Sequence, residues 1–290
     1  MKKPQCITII GVGLIGGAMG MILKKKKLAR EIIGVTRHKH SLNNAKRLKA
    51  IDRGTLNVEL AVKDADIVVL AMPVGKMFAM VKDIKAFLKP GCILTDVGST
   101  KTEVVRDIEK ILPKGVYFVG AHPLAGSEKS GVLSAHADLF KHNVCIITPT
   151  KQTNYRALTT IKQLWRNLGA DVVSMNCQRH DKIVAEISHL PHILSVSLVN
   201  TVSQKFLRYA AGGFKDVSRL AGAEAVIWQD IFTTNRENVC IAINKYIKIL
   251  TKINTLLKQE NSLCNLRLLK ILQHAKKIKD ETVLQKNNCN

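Results

Sequence analysis

Two segments of this chain carry residue types that could do chemistry. Thr95-Asp96-Val97-Gly98-Ser99-Thr100-Lys101 offers a hydroxyl at Ser99, and Gly120-Ala121-His122-Pro123-Leu124-Ala125-Gly126-Ser127-Glu128-Lys129-Ser130-Gly131 offers an imidazole at His122. A neutral imidazole accepts the proton of a carbinol hydroxyl as hydride leaves the same carbon. A hydride needs an acceptor, and Gly11-x-Gly13-x-x-Gly16 has the spacing for one. Gly11 allows a tight turn, Gly13 lets backbone approach a pyrophosphate, and Gly16 lets a helix pack against its strand. The free N–H groups and positive dipole end of that helix then face the phosphates. Leu14 and Ile15 open the helix and Pro73 ends a later strand, so these join the glycines as expected cofactor contacts.

The second strand selects the cofactor. An NAD site places Asp or Glu about 20 residues beyond the glycines, on the ribose hydroxyls. Here the position reads Thr36-Arg37-His38-Lys39, with no acid. A carboxylate would repel a 2′-phosphate, whereas Arg37 can clamp one. The sequence therefore points to NADP, with Thr36, Arg37, His38 and Ser99 on the cofactor side.

These residues need a scaffold, and the pattern supplies one. Short apolar strands are predicted at Cys6 to Ile10, Ile32 to Val35, Ile67 to Ala71, Cys92 to Asp96, Tyr117 to Gly120, Val144 to Thr148 and Asp171 to Ser174, with helices between most of them. Such alternation implies right-handed crossovers and a mostly parallel, doubly wound sheet. Both chemical segments then lie at carboxyl ends of strands, where open α/β sheets bind ligands. After about residue 176 helical stretches dominate: Arg179 to Tyr209, kinked at Pro191, then Ala223 to Leu257 and Ser262 to Lys279. The expected organisation is a dinucleotide-binding Rossmann domain over 1–176 and an all-α domain over 177–290.

Composition narrows the class. The chain has 290 residues, 46% of them hydrophobic and 23% charged, which is globular rather than disordered. Continuous apolar runs fall short of the roughly 20 residues of a membrane span. Net charge is +23, from 33 Lys and 12 Arg against 22 acids. The lysines are scattered and arginine, the better phosphate fork, is scarce, so a Lys-rich solvated surface is expected rather than a nucleic-acid or membrane binder. Seven cysteines without CxxC spacing indicate buried thiols in a reducing compartment, with no disulfide framework and no metal site.

Taken together, Gly13-Leu14-Ile15-Gly16-Gly17, Asp96 to Lys101, His122 to Gly131, His180-Asp181, Ser188-His189-Leu190-Pro191-His192 and Gly212 to Arg219 resemble the prephenate/arogenate dehydrogenase family of tyrosine biosynthesis over nearly the whole chain. Ile33-Gly34-Val35-Thr36-Arg37 is similar to the NADP-using, cyanobacterial-type arogenate enzymes. The resemblance implies that His122 accepts the C4 hydroxyl proton, that Ser99 helps hold His122 and the hydroxyl, and that Arg219 binds a substrate carboxylate. It places Ser127, His180, His192 and Trp228 at or near the substrate. Lys215 and Asp216 join an interface network, and the helical domain pairs two copies into a homodimer. Glu128 fits either an active-site gate or a helix start. The implied reaction is NADP-dependent oxidative decarboxylation of arogenate to tyrosine; the alternative is prephenate to 4-hydroxyphenylpyruvate, with NAD or NADP.

Two other classes compete. A 3-hydroxyacid dehydrogenase would place a catalytic Lys on the long helix after the boundary, where Lys182 is the candidate, and would leave His122 unexplained. A basic nucleic-acid binder would show steep salt dependence. A soluble location is expected, bacterial cytoplasm or plastid stroma, because no transit segment precedes the first strand.

Overall fold

The computed structural model describes residues 4–126, 130–259 and 261–287. β1 (Cys6–Ile10) is a buried β-branched strand that pairs in parallel with β2 (Glu31–Val35) on one side. α1 (Leu14–Lys25) makes the crossover between them. α2 (Lys39–Arg47), β3 (Arg53–Thr55) and α3 (Val58–Val62) follow, and the chain then returns to the other side of β1 as β4 (Ile67–Leu70). α4 (Met77–Ile84), β5 (Ile93–Asp96), α5 (Thr102–Ile111) and β6 (Tyr117–Pro123) extend that half, and β7 (Val144–Thr148), α6 (Tyr155–Leu168) and β8 (Asp171–Ser174) complete it.

The sheet order is β3-β2-β1-β4-β5-β6-β7-β8. Every pairing is parallel except β6 with β7. Alternate residues of one strand go to opposite faces. Ile7 and Ile9 join one apolar layer with Met19, Ile22 and Trp165, while Ile10, Val68 and Leu70 join the other with Met77, Val81 and Ile84. Burial on both faces is the reason these strands read as continuous apolar runs. The chain direction around the sheet reverses between β1 and β4, so a crevice opens above their carboxyl ends.

The chain divides into two compact units, one ending at Val239 and the other running from Cys240. The architecture changes at Asn176, whose side chain caps α7 (Cys177–Val184) by accepting from the Arg179 N–H. The helices that follow, up to Val239, belong to the same unit as the sheet. The helix expected over Arg179 to Tyr209 is interrupted. A π turn at Ala185–His189 separates α7 from α8 (Leu190–Thr201), and a 3₁₀ turn covers Gln204–Tyr209. Pro191, in the first turn of α8, has no N–H for the residue four before it, and the wider π turn absorbs the mismatch. Next come α9 (Gly212–Ser218) and α10 (Ala225–Thr234). The helix expected over Ala223 to Leu257 breaks at Asn235, and α11 (Arg236–Leu257) begins beyond it.

The run Cys177–Thr201 is long and apolar enough by composition to cross a membrane, which a count of uninterrupted apolar residues does not reveal. Its His180, Asp181, His189 and His192 are buried, and Ile187, Val196 and Val199 are exposed. In the second unit, α12 (Ser262–Asn287) follows α11. Its turn is fixed by Asn261, which accepts from the Cys264 N–H at 2.8 Å, while Leu250, Leu257, Leu266, Leu269 and Leu272 remain exposed.

Candidate functional site

The Gly-rich turn leaves β1 as the motif requires. Gly11 has φ +100°, and a Cβ there would collide with the Ala71 carbonyl. Its N–H donates to the Val35 carbonyl at 2.9 Å, which brings the end of β2 beside the turn. A Cβ on Gly16 would collide with the Gly11 carbonyl, so only glycine lets α1 approach. Gly13 caps α1 with no side-chain acceptor and no acid in the first turn, and a Cβ there would meet nothing within 4 Å. The first N–H groups of α1 therefore face open space with the dipole behind them, which fits a dinucleotide pyrophosphate.

That turn borders a cleft of about 940 Å³. Gly13, Leu14, Ile15 and Pro73 line one part, and Ser99, His122, His192, Arg219 and Trp228 line the rest. The structure thus brings together residues that lie far apart in the sequence, from Gly13 to Trp228. Thr36, Arg37 and His38 lie outside the cleft lining, at the mouth of β2; Arg37 and His38 are exposed, and Thr36 Oγ1 donates to the His38 carbonyl at 3.0 Å. Ser127, with Glu128, lies outside the described residues.

Arg219 begins a 3₁₀ turn, Arg219–Gly222, pinned where the Ala221 N–H donates to the buried Ser195 Oγ at 2.9 Å. His192 stacks on Trp228 at 3.4 Å between ring centroids, 15° from parallel. Burial lowers the His192 imidazole to about 4 and the His189 imidazole likewise to about 4, so both rings are neutral near pH 7.

Beneath the cleft lies a buried polar network. Asp96 ends β5 and pairs with Lys101, both side chains fully buried. Its two carboxylate oxygens also accept from the Ala121 N–H at 3.0 Å and the Gly98 N–H at 2.9 Å. Asp96 thereby ties the Ser99 loop to the strand that carries His122. Asp181 accepts from the Lys101 and Thr102 N–H groups, each at 2.8 Å, and so caps α5 from α7. Asn235, where α10 ends and α11 begins, donates through Nδ2 to the Asp181 carbonyl at 2.8 Å.

His180 departs from its expected place near the substrate. It is fully buried, does not line the cleft, and stands behind His122, with its Nε2 2.9 Å from His122 Nδ1 and its Nδ1 2.8 Å from Asp181 Oδ1. Desolvation, then the neighbouring His180, Lys101 and His189, hold His122 well below the usual imidazole range. Burial would raise Asp181, but hydrogen bonds from His180 and Thr102 leave it below the ordinary carboxylate value.

Sequence reasoning gave no role to Asp181, Asn235 or the Asp96–Lys101 pair. Their only linear signals were the His180-Asp181 adjacency and the presence of two charges in an apolar strand-to-helix junction. Lys182, the residue that a 3-hydroxyacid reading needed, does not line the cleft. No cluster of potential metal ligands occurs among the described residues.

A βαβ dinucleotide fold with a neutral buried histidine at the cleft defines a class, the nicotinamide-dependent dehydrogenases. Residues 19–174 match the family model for the prephenate dehydrogenase nucleotide-binding domain, and residues 176–274 that for the prephenate dehydrogenase dimerization domain. A prephenate dehydrogenase of Bacillus subtilis is 34% identical over 90% of this chain and 72% of its own. The crystal structure of Aquifex aeolicus prephenate dehydrogenase in complex with hydroxyphenyl propionate and NAD+ superposes with a TM-score of 0.88 at 33% identity, covering 96% of this chain and 98% of that one. Synechocystis arogenate dehydrogenase superposes at 0.79 with 25% identity, covering 96% of this chain and all of the other. The chain belongs to the prephenate/arogenate dehydrogenase family, and is an NAD(P)-dependent oxidoreductase of tyrosine biosynthesis.

Proposed function

We propose that the protein is an NADP-dependent arogenate dehydrogenase acting as a homodimer in a soluble compartment. The observation that carries the reaction type is His122, a neutral imidazole lining the cleft opposite the Gly-rich turn. The bound nicotinamide supplies the acceptor for the hydrogen on C4. His122 takes the C4 hydroxyl proton. The bond from C1 to its carboxylate breaks, its electron pair enters the ring, and CO₂ departs. The phenolic oxygen then recovers the proton from His122, so the side chain ends as it began. Aromatisation makes the sequence irreversible, and the protein needs only to orient the ring, hold the proton and hold the carboxylates. Ser99 addresses the hydroxyl and Arg219 a carboxylate, a reading supported by the presence of both in the cleft lining. Gly11, Gly13, Leu14, Ile15, Gly16 and Pro73 hold the dinucleotide, and Ser127, His192 and Trp228 complete the substrate surround.

Support for NADP comes from Arg37, exposed at the end of β2 in a stretch without a carboxylate. The second reading, prephenate oxidised with NAD, is favoured by the names of the relatives and by the NAD+ in the Aquifex aeolicus complex. Initial rates with arogenate and prephenate, each crossed with NADP and NAD, separate the two. Preference for arogenate with NADP supports the proposal. Preference for prephenate with NAD replaces it and removes the Arg37 argument. No turnover in any combination overturns the assignment of His122.

A further inference from the structure

A histidine that accepts a proton must present an unprotonated nitrogen to the substrate, and the buried network beneath the cleft bears on which nitrogen that is. Asp181 accepts two backbone N–H groups, one on each oxygen, at the N-terminus of α5. It is an anion in that setting, because the N–H donors and the helix dipole favour the charge. A carboxylate can only accept, so His180 Nδ1, 2.8 Å away, must carry the hydrogen. A neutral His180 then has a bare Nε2. That atom lies 2.9 Å from His122 Nδ1, so His122 must be the donor there, with its hydrogen on Nδ1. The remaining nitrogen of His122, Nε2, is left without a hydrogen on a ring that lines the cleft.

We propose that His180 and Asp181 are positioning residues that set the tautomer and orientation of His122 through a two-imidazole chain, so that Nε2 is the proton-accepting atom. This rests on His122 as the proton acceptor. No proton travels along the chain; each imidazole keeps one hydrogen, and the hydrogen bonds fix which nitrogen holds it. The reverse polarity would need Asp181 to be protonated against two N–H donors, or two ring N–H groups to face each other. Both rings are nearly or fully buried, so water cannot substitute as the partner. The other charged or titratable groups facing this pair are Lys101, Asp96 and His189. Lys101 is matched by Asp96, and His189 Nδ1 is engaged by Asn235 at 3.2 Å, which leaves the chain to Asp181 as the determinant.

The direct test uses the wild-type protein, labelled with ¹⁵N in its histidine rings. Long-range ¹H–¹⁵N correlations, assigned with His122→Gln, should show His122 protonated at Nδ1 and His180 also at Nδ1. A His122 protonated at Nε2 would overturn the proposal. The kinetic test compares two replacements. His180→Phe keeps a ring but accepts nothing, and should lower kcat roughly 100-fold or more with KM within about threefold, while moving the acid limb of the pH profile. His180→Gln supplies a carbonyl for His122 and an N–H for Asp181, and should recover most of that loss. Wild-type kcat and an unmoved acid limb in His180→Phe would sink the idea. If His180→Phe does not fold, the tautomer measurement decides by itself. Activity that survives His122→Asn would instead refute the reading of His122 and leave the tautomer result standing.

Discussion

His122 shows how environment sets the charge of a common side chain. The ring would titrate near pH 6.5 in water. Desolvation, with Lys101 and two further histidines nearby, keeps it neutral well below that. The acid limb of kcat/KM should therefore fall below pH 6.5, and a limb centred at or above 6.5 would contradict the assignment. His122→Asn should lower kcat by about 10²–10⁴-fold, the usual worth of a positioned base, while fluorescence titration shows unchanged dinucleotide affinity. The role proposed for Arg37 belongs to the same scale and rests on simple charge. Arg37→Ser should raise the KM for NADP about 10–100-fold, as expected for losing a charge-assisted bond to a phosphate, and leave the KM for NAD within about twofold. Equal losses for both cofactors would remove Arg37 from the 2′-phosphate site.

At the scale of elements, the cleft depends on two junctions that no single element explains. The Gly-rich turn needs β1, β2 and the chain after β4 to be in register, because Gly11 bonds Val35 and abuts Ala71. The Ser99 loop needs β5, β6 and α7, because Asp96 and Asp181 collect its backbone N–H groups. The buried Asp96–Lys101 pair holds the second junction. Removing one partner of such a pair leaves an unmatched buried charge and costs about 3–5 kcal/mol. Lys101→Met should lose stability of that order in urea denaturation, with β5 and α5 affected together. A loss below about 1 kcal/mol would show that the pair does not hold the loop. The π turn before Pro191 belongs to the same design, since it precedes the turn of α8 that sets His192 against Trp228.

For the molecule as a whole, four buried histidines link folding to pH. His122, His180, His189 and His192 are all held below the usual imidazole range, the last two at about 4. An unfolded chain takes up protons on these rings near pH 6.5, whereas the folded chain refuses them until lower pH. Between pH 6.5 and about 4 the unfolded state binds more protons, so stability must fall as pH drops through that window, by up to about 1.4 kcal/mol per pH unit for each ring. Thermal melting followed by circular dichroism should show Tm flat from pH 8 to 7 and declining below 6.5. A Tm unchanged between pH 6.5 and 4.5 would mean the rings are not held neutral.

Much of this was readable in the linear chain. The strand-turn-helix context of Gly11 to Gly16, the missing acid beside Arg37, and the placing of Ser99 and His122 at strand ends follow from local rules, because φ requirements, side-chain volume and two-faced burial act within a few residues. Tertiary structure decided the rest. A π turn at Ala185–His189 and a break at Asn235 replaced two long helices, since the missing N–H of Pro191 and the non-helical backbone of Asn235 are not expressed in periodicity. The antiparallel β6–β7 pair was likewise invisible, because a strand's direction depends on its neighbour and not on its own residues. His180 moved from the substrate surround to a position behind His122, because a side chain's partners are set by what packs against it across 58 residues of sequence. The sequence determines that this is a dinucleotide fold with a histidine at its mouth, since those features are local. Only the packed molecule decides which nitrogen of that histidine keeps its hydrogen, since that depends on a carboxylate whose bonds reach from α7 to α5.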